Sequence, residues 1–343
     1  MPSPHDEPRP VTAKMQRPAL RPERWKRRGR SPPARRPPPG ATCPILPARG
    51  NGMTGRAASL ERTMKVVRAK KYGFCSGVRV ADLKVRRFAA QGGRGAILGQ
   101  VVHNERVVED LERLGIRTVH SLEEVAEPVV VFSAHGVPPS FHERARGLGL
   151  EILDTTCKFV YDIHKEAQAA LEEGAHLVFV GDPQHREVVG YTRDLDPSTY
   201  HIVQGLDQAR EISWEAYPSL RILYQTTLNA EDFEDVVTHI ESRNPNTRRA
   251  DTICYATKQN QDAARELAQD PSVGAVVVIG GKQSANTRHL FEICSRIKPS
   301  ALVQGKEDLD PAWLAGFSVV GLTAGASTPD YVIDEVEAAL LAL

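Results

Sequence analysis

The chain has 343 residues with 44 Lys+Arg and 43 Asp+Glu, so its formal net charge is +1. That balance hides a basic first segment: residues 1–63 hold 14 Lys+Arg and 4 Asp+Glu, and the rest of the chain carries a net charge of −9. No apolar run reaches the roughly 18 residues that a membrane-spanning helix needs, which excludes a helical membrane span. Five cysteines spread over a long chain without a secretory signal argue against a disulfide framework and favour a reducing cytoplasm.

The basic segment also contains 13 of the 24 prolines and shows neither helical nor strand periodicity. Such a stretch cannot bury enough apolar surface to offset its chain entropy, so we expect residues 1–63 to be a disordered Pro/Arg-rich extension. Two interpretations stay open: a basic tail that contacts phosphates, or a biological start at Met64, directly before a strand-like run. We expect neither a membrane nor a nucleic acid as a partner.

From residue 65 onwards, short apolar runs alternate with amphipathic stretches of helical length, which is typical of parallel βα units. Buried strands are predicted at 96–98, 129–132, 177–180, 222–224, 275–279 and 317–322. Helices are predicted over 106–114 and 160–173, each followed by a glycine as a stop signal.

One pattern occurs three times along this alternation. A cysteine is followed by an apolar run that ends in glycine, and a polar residue stands four positions after that glycine. The cysteine-to-polar pairs are Cys75 and His103, Cys157 and His185, and Cys254 and Ser284, with spacings of 28, 28 and 30 residues. We therefore predict three pseudo-symmetric α/β lobes with mostly parallel sheets, over 64–149, 150–247 and 248–343, around a central site.

The three repeated cysteines allow two interpretations. Each alone could be a small apolar residue at a strand end. Together, one in each lobe, they could meet as three thiolate ligands and leave one coordination position open, as on a 4Fe-4S cluster with a Lewis-acidic iron. Cys294 lies on the apolar face of a predicted helix and is assigned to packing, whereas Cys43 is assigned no role.

The polar residues sit at the predicted carboxyl ends of strands, where parallel sheets bind ligands. His103, His135 and His185 hold such positions, and Ser284 and Asn286 take their place in the third repeat. These hydrogen-bond donors suit a phosphate or diphosphate. The other histidines are assigned to surfaces, helix flanks or the first segment. Glu187 is either a solvated helix residue or a proton carrier with a raised pKa.

At these residues the chain resembles the 4-hydroxy-3-methylbut-2-enyl diphosphate reductase family of iron–sulfur enzymes in the non-mevalonate isoprenoid pathway. The resemblance runs from about residue 64 to the end. It rests on Gly73-Phe-Cys-Ser-Gly-Val78, Val101-Val-His-Asn104, Phe132-Ser-Ala-His-Gly-Val137, Asp154-Thr-Thr-Cys157, His185-Arg-Glu187, Gln225-Thr-Thr-Leu228, Asp251-Thr-Ile-Cys-Tyr-Ala-Thr257, Ser284-Ala-Asn286 and Thr323-Ala-Gly-Ala-Ser-Thr-Pro-Asp330.

The resemblance implies a 4Fe-4S cluster held by Cys75, Cys157 and Cys254, and an oxidoreductase that removes the hydroxyl of an allylic diphosphate with two electrons and two protons. It implies that Glu187 and Thr226 act at the hydroxyl end, with Glu187 supplying the proton. The implied diphosphate ligands are His103, His135, His185, Ser284, Ala285, Asn286 and Ser327. Electrons would come from a separate protein of ferredoxin or flavodoxin type.

The chain departs from the family pattern in three places. Ala285 stands where a second serine is common, so its backbone N–H would have to serve the phosphate. Asp182 stands where some members have another histidine, and the chain ends soon after its last predicted helix. Two alternatives also stay open: an enzyme like quinolinate synthase, with three lobes and three distant cysteines, and a non-enzymatic iron–sulfur regulator that uses the basic segment.

Overall fold

The computed structural model describes residues 64–343, so the extension expected at residues 1–63, and Cys43 within it, lie outside the described residues. The strands are β1 (Lys65–Arg68), β2 (Gly95–Leu98), β3 (Arg117–Val119), β4 (Val129–Phe132), β5 (Glu151–Asp154), β6 (His176–Val180), β7 (Tyr200–Val203), β8 (Leu220–Tyr224), β9 (Thr247–Arg249), β10 (Ala275–Ile279), β11 (Ser300–Val303) and β12 (Val319–Ala324). The α-helices are α1 (Ser76–Ala90), α2 (Glu105–Arg113), α3 (Pro139–Gly147), α4 (Lys158–Glu172), α5 (Arg186–Thr192), α6 (Leu206–Glu211), α7 (Glu234–Arg243), α8 (Tyr255–Gln269), α9 (Ala285–Ser295), α10 (Pro311–Leu314) and α11 (Asp330–Leu341). Short 3₁₀ helices are Leu122–Glu124, Pro197–Thr199, Trp214–Ala216, Ala230–Phe233 and Lys306–Asp308.

These strands form three four-stranded sheets, one in each lobe. The strand orders are β3-β2-β4-β5, β7-β6-β8-β9 and β11-β10-β12-β1. Every neighbouring pair is parallel. The predicted fold class, three pseudo-symmetric α/β lobes with parallel sheets, is confirmed.

One edge strand of each sheet pairs outside or across the predicted lobe limits, which stay a prediction. Strand β1 was expected in the first lobe, but it pairs with β12 and forms an edge of the third sheet. Strand β5 lies beyond the limit at residue 149 yet pairs with β4, and β9 crosses the limit at residue 247 and pairs with β8. The chain thus finishes one sheet with an edge strand before it enters the next lobe, and the limits expected from the repeat cut across this pairing.

Apolar residues cover both faces of each sheet. The central strands β2, β4, β6, β8 and β10 are buried along their whole length, because helices pack on either side. Each lobe therefore has two apolar cores, one on either face of its sheet. Among residues 64–343, the largest fully buried side chain is Trp214, whose indole N–H donates to the carbonyl of Ala209 at 2.7 Å.

The predicted elements lie close to the observed ones. Helix α4 ends just before Gly174, which has φ of +77° and takes the left-handed conformation of a helix stop. The strand expected at 317–322 begins two residues later, because the Phe317 N–H donates to Leu314 and its ring packs edge-on against Trp313. Within residues 64–343, no helix combines the length and apolarity needed to cross a membrane.

Candidate active site

A single cavity is lined by residues of all three lobes, at the carboxyl ends of the central strand pairs β2–β4, β6–β8 and β10–β12. Within each pair the strands are parallel, but the chain adds its next strand on opposite sides of the two, and such a switch point leaves a crevice between the loops that follow. All twelve residues predicted for the site line this cavity: Cys75, His103, His135, Cys157, His185, Glu187, Thr226, Cys254, Ser284, Ala285, Asn286 and Ser327. Their convergence is observed, and the binding role of each one stays a prediction.

The three repeated cysteines occupy equivalent positions. Each follows an edge strand of one sheet and is the N-cap residue of the first helix of the next lobe, α1, α4 or α8. Each backbone N–H donates to a carbonyl in the loop after a central strand of the preceding lobe. These bonds are Cys75 to Ala326 at 3.1 Å, Cys157 to Ala134 at 3.0 Å and Cys254 to Thr226 at 3.0 Å. Each cysteine therefore lies where the chain leaves an edge strand of one lobe and begins the first helix of the next. This position places all three thiols at the junction of the lobes.

The thiols suit a metal–sulfur cluster. All three are free, and burial raises the pKa of Cys157 to about 11 and the pKa of Cys75 above its usual value. Gly77 leaves space between two of them, since a Cβ there would lie 2.5 Å from the Cys157 Sγ and 3.9 Å from the Cys75 Sγ. Bound metal would displace the thiol protons, and helix N-termini favour the thiolates that result.

The donor set also indicates what kind of metal group fits. Within residues 64–343, no three His, Cys, Asp or Glu side chains converge as the ligands of a single metal ion do. Three thiols that surround a cavity without meeting at one point suit a group of several iron atoms better than a lone ion. The cavity offers three thiols, so one iron of a four-iron group would have no cysteine ligand.

The three strand-end histidines form a contact cluster. The ring of His103 lies 4.4 Å from that of His135 and 5.8 Å from that of His185, between centroids. Burial is the main cause that lowers the pKa of His103 and of His185 to about 4, and it holds the pKa of His135 well below its usual value. All three imidazoles are therefore neutral near pH 7.

Several of these groups have atoms ready for a ligand. The Nδ1 of His185 accepts the Glu187 N–H at 3.3 Å, so the neutral ring carries its proton on Nε2. In the described part of the chain, the Nδ1 of His135 and both amide atoms of Asn286 are buried without a hydrogen-bond partner. Buried polar groups in native proteins are nearly always paired, so a polar ligand is the natural partner here.

The third lobe adds hydroxyl and backbone donors. Ser284 caps α9 by accepting the Thr287 N–H at 3.3 Å, and its own hydroxyl proton stays free to donate. Ala285 is the first residue of that helix, where backbone N–H groups have no partner within the helix. The hydroxyl of Ser327 donates to the His103 carbonyl at 3.2 Å, so it must turn before it can donate to a ligand.

Glu187 is held in a buried network rather than in water. Only 4% of Glu187 is exposed. Its Oε1 accepts the Thr226 hydroxyl at 2.7 Å and its Oε2 accepts the Thr226 N–H at 3.0 Å, with a longer contact of 3.4 Å from the Tyr191 hydroxyl. Burial raises the pKa of Glu187, although these hydrogen bonds oppose the shift. This direction is the one expected of a proton carrier, and the role of Glu187 stays a prediction.

Some residues of the site were not predicted. Tyr191 lies one helical turn after Glu187, so the spacing of four residues was a signal for their contact. Thr227 and Thr257 also line the cavity. Asp182 lies outside the cavity lining, and its Oδ1 accepts the Gln184 N–H in the turn that precedes α5.

Two histidines differ from their surface assignment. His176 is buried, stacked on the Tyr217 ring at 3.8 Å, and its Nε2 lies 2.7 Å from the His201 Nδ1. His289 is half-buried, with its Nδ1 2.7 Å from the Thr227 carbonyl. Cys294 is fully buried in the apolar core of the third lobe, as expected.

Known proteins share both this sequence and this fold. A family model described as LytB protein matches residues 66–341. The 4-hydroxy-3-methylbut-2-enyl diphosphate reductase of Anaeromyxobacter sp. (strain K) is 40% identical over 284 residues, which cover 82% of this chain and 100% of that protein. The protein of the same name from Trichlorobacter lovleyi is 37% identical over 274 residues, which cover 80% and 96%.

A solved structure gives the same result for the fold. The E-1-hydroxy-2-methyl-but-2-enyl-4-diphosphate reductase of Plasmodium falciparum superposes with a TM-score of 0.76 at 26% identity, covering 80% of this chain and 87% of that one. The resemblance drawn from the sequence motifs is thereby confirmed. Because the family model spans well over half of the chain and relatives exceed 30% identity along most of it, the chain belongs to the LytB protein family.

Proposed function

We propose that this protein is a 4-hydroxy-3-methylbut-2-enyl diphosphate reductase. It reduces (E)-4-hydroxy-3-methylbut-2-enyl diphosphate to isopentenyl and dimethylallyl diphosphate: the carbon–oxygen bond to the hydroxyl breaks, the oxygen leaves as water, and two electrons and two protons are consumed. The observation that carries this proposal is one cavity whose lining combines three helix-capping thiols with buried polar atoms that have no hydrogen-bond partner in the described part of the chain. The named relatives provide independent support.

Cys75, Cys157 and Cys254 would hold a 4Fe-4S cluster. When bound, such a cluster supplies electrons and one iron that can polarise the substrate hydroxyl. The protein holds the three thiols on three different helices, and each helix begins at the cysteine it presents. We further propose a reducing compartment, the cytoplasm, because the ligating thiols must stay free of disulfides.

The diphosphate would bind among the strand-end donors. His103, His135 and His185 present three neutral imidazoles from two lobes, and the third lobe adds the remaining donors. Those remaining donors are the Ser284 hydroxyl, the Ala285 N–H, the Asn286 amide and, after it turns, the Ser327 hydroxyl. These groups can donate hydrogen bonds to the phosphate oxygens. They would fix the diphosphate end of the substrate and leave its hydroxyl end directed towards the thiols.

Glu187 and Thr226 would move the proton. The raised pKa of Glu187 keeps a proton on its carboxyl to higher pH than in water. The Oγ1 of Thr226 lies 2.7 Å from the Glu187 Oε1. Once the Thr226 hydroxyl turns its own proton from Glu187 to the substrate oxygen, a proton on the carboxyl can pass to the Thr226 Oγ1 as Thr226 donates. The electrons would come from a separate ferredoxin- or flavodoxin-type protein.

The alternatives have less support. An enzyme like quinolinate synthase does not account for the family match over residues 66–341. The regulator hypothesis depends on residues 1–63, which lie outside the described residues.

The test begins with anaerobic purification and measurement of iron and sulfide. The loaded protein is then given the allylic diphosphate with a reduced viologen dye, and the products are separated and identified. We expect about four iron atoms per chain, the content of one 4Fe-4S cluster. We also expect formation of both diphosphate products. Protein that carries the cluster but leaves the substrate unchanged contradicts the proposal.

A further inference from the structure

Arg186 reaches from the second lobe across to the first. It is the first residue of α5, directly after His185, and its guanidinium lies against the backbone of Gly99 just after β2. A Cβ at residue 99 would lie 1.6 Å from the Arg186 Nη1 and 2.5 Å from its Cζ. Gly99 also has φ of +75°, so both the close approach and the backbone conformation require glycine. The backbone at Gly99 thus leaves room for the Arg186 guanidinium at the contact between the first and second lobes.

This guanidinium lies beside the histidine cluster. After burial, its positive charge is among the causes that lower the pKa of His103, His135 and His185, and the charge of Arg288 acts in the same direction on His103 and His185. Arg186 does not line the cavity, and among residues 64–343 no lysine or arginine does. Arg186 is thus a cation close to the proposed diphosphate site without being part of its surface.

The charge of Arg186 has no counter-charge in the described part of the chain. Burial alone lowers the pKa of Arg186, with no carboxylate or hydrogen bond to oppose it. Arg117 and Arg249 show the usual behaviour, since each donates hydrogen bonds to carboxylates and these bonds raise its pKa. A half-buried cation without a partner costs free energy unless an anion meets it.

We propose that Arg186 supplies a permanent positive charge next to the cavity, and that this charge strengthens binding of the diphosphate group among the three histidines. This inference rests on the proposed function, because it assumes a diphosphate ligand. Neutral imidazoles donate hydrogen bonds but do not balance several negative charges. A guanidinium stays protonated at every working pH, and in a site shielded from water its field acts without direct contact. Arg186 is therefore a positioning residue.

Three variants of the full-length, cluster-loaded protein separate charge from packing. Arg186→Met keeps a long side chain over Gly99 but removes the charge, whereas Arg186→Lys keeps the charge. Arg210→Met is the matched control, because Arg210 is an exposed arginine on α6 of the same lobe. Each protein is titrated with inorganic diphosphate by calorimetry in magnesium-free buffer, at low and at high ionic strength.

We expect Arg186→Met to weaken inorganic diphosphate binding about 10-fold at low ionic strength, and the difference from the unmodified protein to narrow as salt screens the charge. Arg186→Lys should bind within about threefold of the unmodified protein, and Arg210→Met should be unchanged. With the allylic diphosphate, Arg186→Met should raise KM and leave kcat within about twofold. An unchanged affinity in Arg186→Met overturns the inference. Equal, salt-independent losses in Arg186→Met and Arg186→Lys also overturn it, because they indicate packing.

The two proposals can fail separately. If the unmodified protein reduces the allylic diphosphate but Arg186→Met binds inorganic diphosphate normally, the reductase assignment stands and the role of Arg186 is wrong. If affinity for inorganic diphosphate depends on the charge at residue 186 while the allylic diphosphate is left unreduced, the role of Arg186 stands and the reductase assignment is wrong.

Discussion

Glu187 shows how one buried side chain can link the fold to proton transfer. Its carboxyl accepts two hydrogen bonds from Thr226, so its position is fixed on both oxygens. Burial nevertheless raises its pKa, because the ionised form loses more solvation than these bonds return. A carboxyl that is fixed in position and has a raised pKa is suited to proton delivery near neutral pH.

We predict that Glu187→Gln lowers kcat about 100-fold while KM stays within about threefold, because the amide keeps the shape but delivers no proton. In the unmodified protein, kcat should fall as pH rises through the raised pKa of Glu187, and this limb should be absent from the pH profile of Glu187→Gln. Steady-state kinetics across pH check both. A kcat equal to that of the unmodified protein excludes Glu187 as the proton donor.

Stability provides the control for this variant. The unfolded chain ionises Glu187 from about its ordinary pKa of 4.5, whereas the folded protein holds the proton to higher pH. Ionisation therefore favours the unfolded chain as pH rises between those two values, and stability is lost over that interval. Glu187→Gln should thus melt at or above the temperature of the unmodified protein at pH 8. A lower melting temperature would point to misfolding as the cause of any lost activity.

At the scale of elements, the three edge strands explain how cysteines so distant in sequence come together. Strands β1, β5 and β9 each complete the sheet of one lobe and lead into a cysteine that begins the first helix of the next. The equivalent backbone bond from each cysteine N–H keeps the three junctions alike. The site therefore belongs to the connections between lobes, and no single lobe contains it.

We predict that Cys75→Ala, Cys157→Ala and Cys254→Ala each reduce bound iron and lower activity by more than about 100-fold, because the cluster loses one of three protein ligands. Cys294→Ala is the matched control, since Cys294 is fully buried in α9 and outside the cavity. It should keep its iron and lose only about 1 kcal/mol of stability. Iron analysis and visible absorption spectra of the four variants check this, and full iron content in any of the first three contradicts the ligand assignment.

At the scale of the whole molecule, contacts between lobes join the three of them around the cavity. The Ser140 N–H and hydroxyl both donate to Asp194 at 2.7 Å between the first and second lobes. His289 meets the Thr227 carbonyl between the third and second lobes. Strand β1 closes the arrangement, because it pairs with β12 in the third sheet and its chain continues to Cys75 in the first lobe.

We predict different effects from two deletions at the N-terminus. Removal of residues 1–63 should leave iron content, activity and melting temperature unchanged, because β1 and every residue of the cavity lie after them. Removal of residues 1–68 should lower the melting temperature by about 2 °C or more, because the third sheet loses its edge strand β1. It should also reduce bound iron, because the segment that leads to Cys75 is no longer held in that sheet. Loss of activity in the shorter deletion contradicts this and revives a role for the basic segment.

The sequence alone determined the triplicated architecture, most strands and helices and, together with the family resemblance, twelve of the residues that line the cavity. It could do so because apolar periodicity is local and because parallel βα units bring the carboxyl ends of their strands to one edge. His103, His185 and Ser284 could thus be assigned to one place from their equal distance to a strand-ending glycine.

Only the tertiary structure decided which sheet each edge strand joins, and hence where one lobe ends. An edge strand carries no local mark of its partner, since its backbone groups pair equally well with any exposed strand. The burial of His176, the contact of Tyr191 with Glu187 and the position of Arg186 over Gly99 were settled in the same way. Burial and pKa depend on neighbours that are close in space but far apart along the chain, so residue patterns predicted where the site lies and the packing of the lobes set its electrostatics.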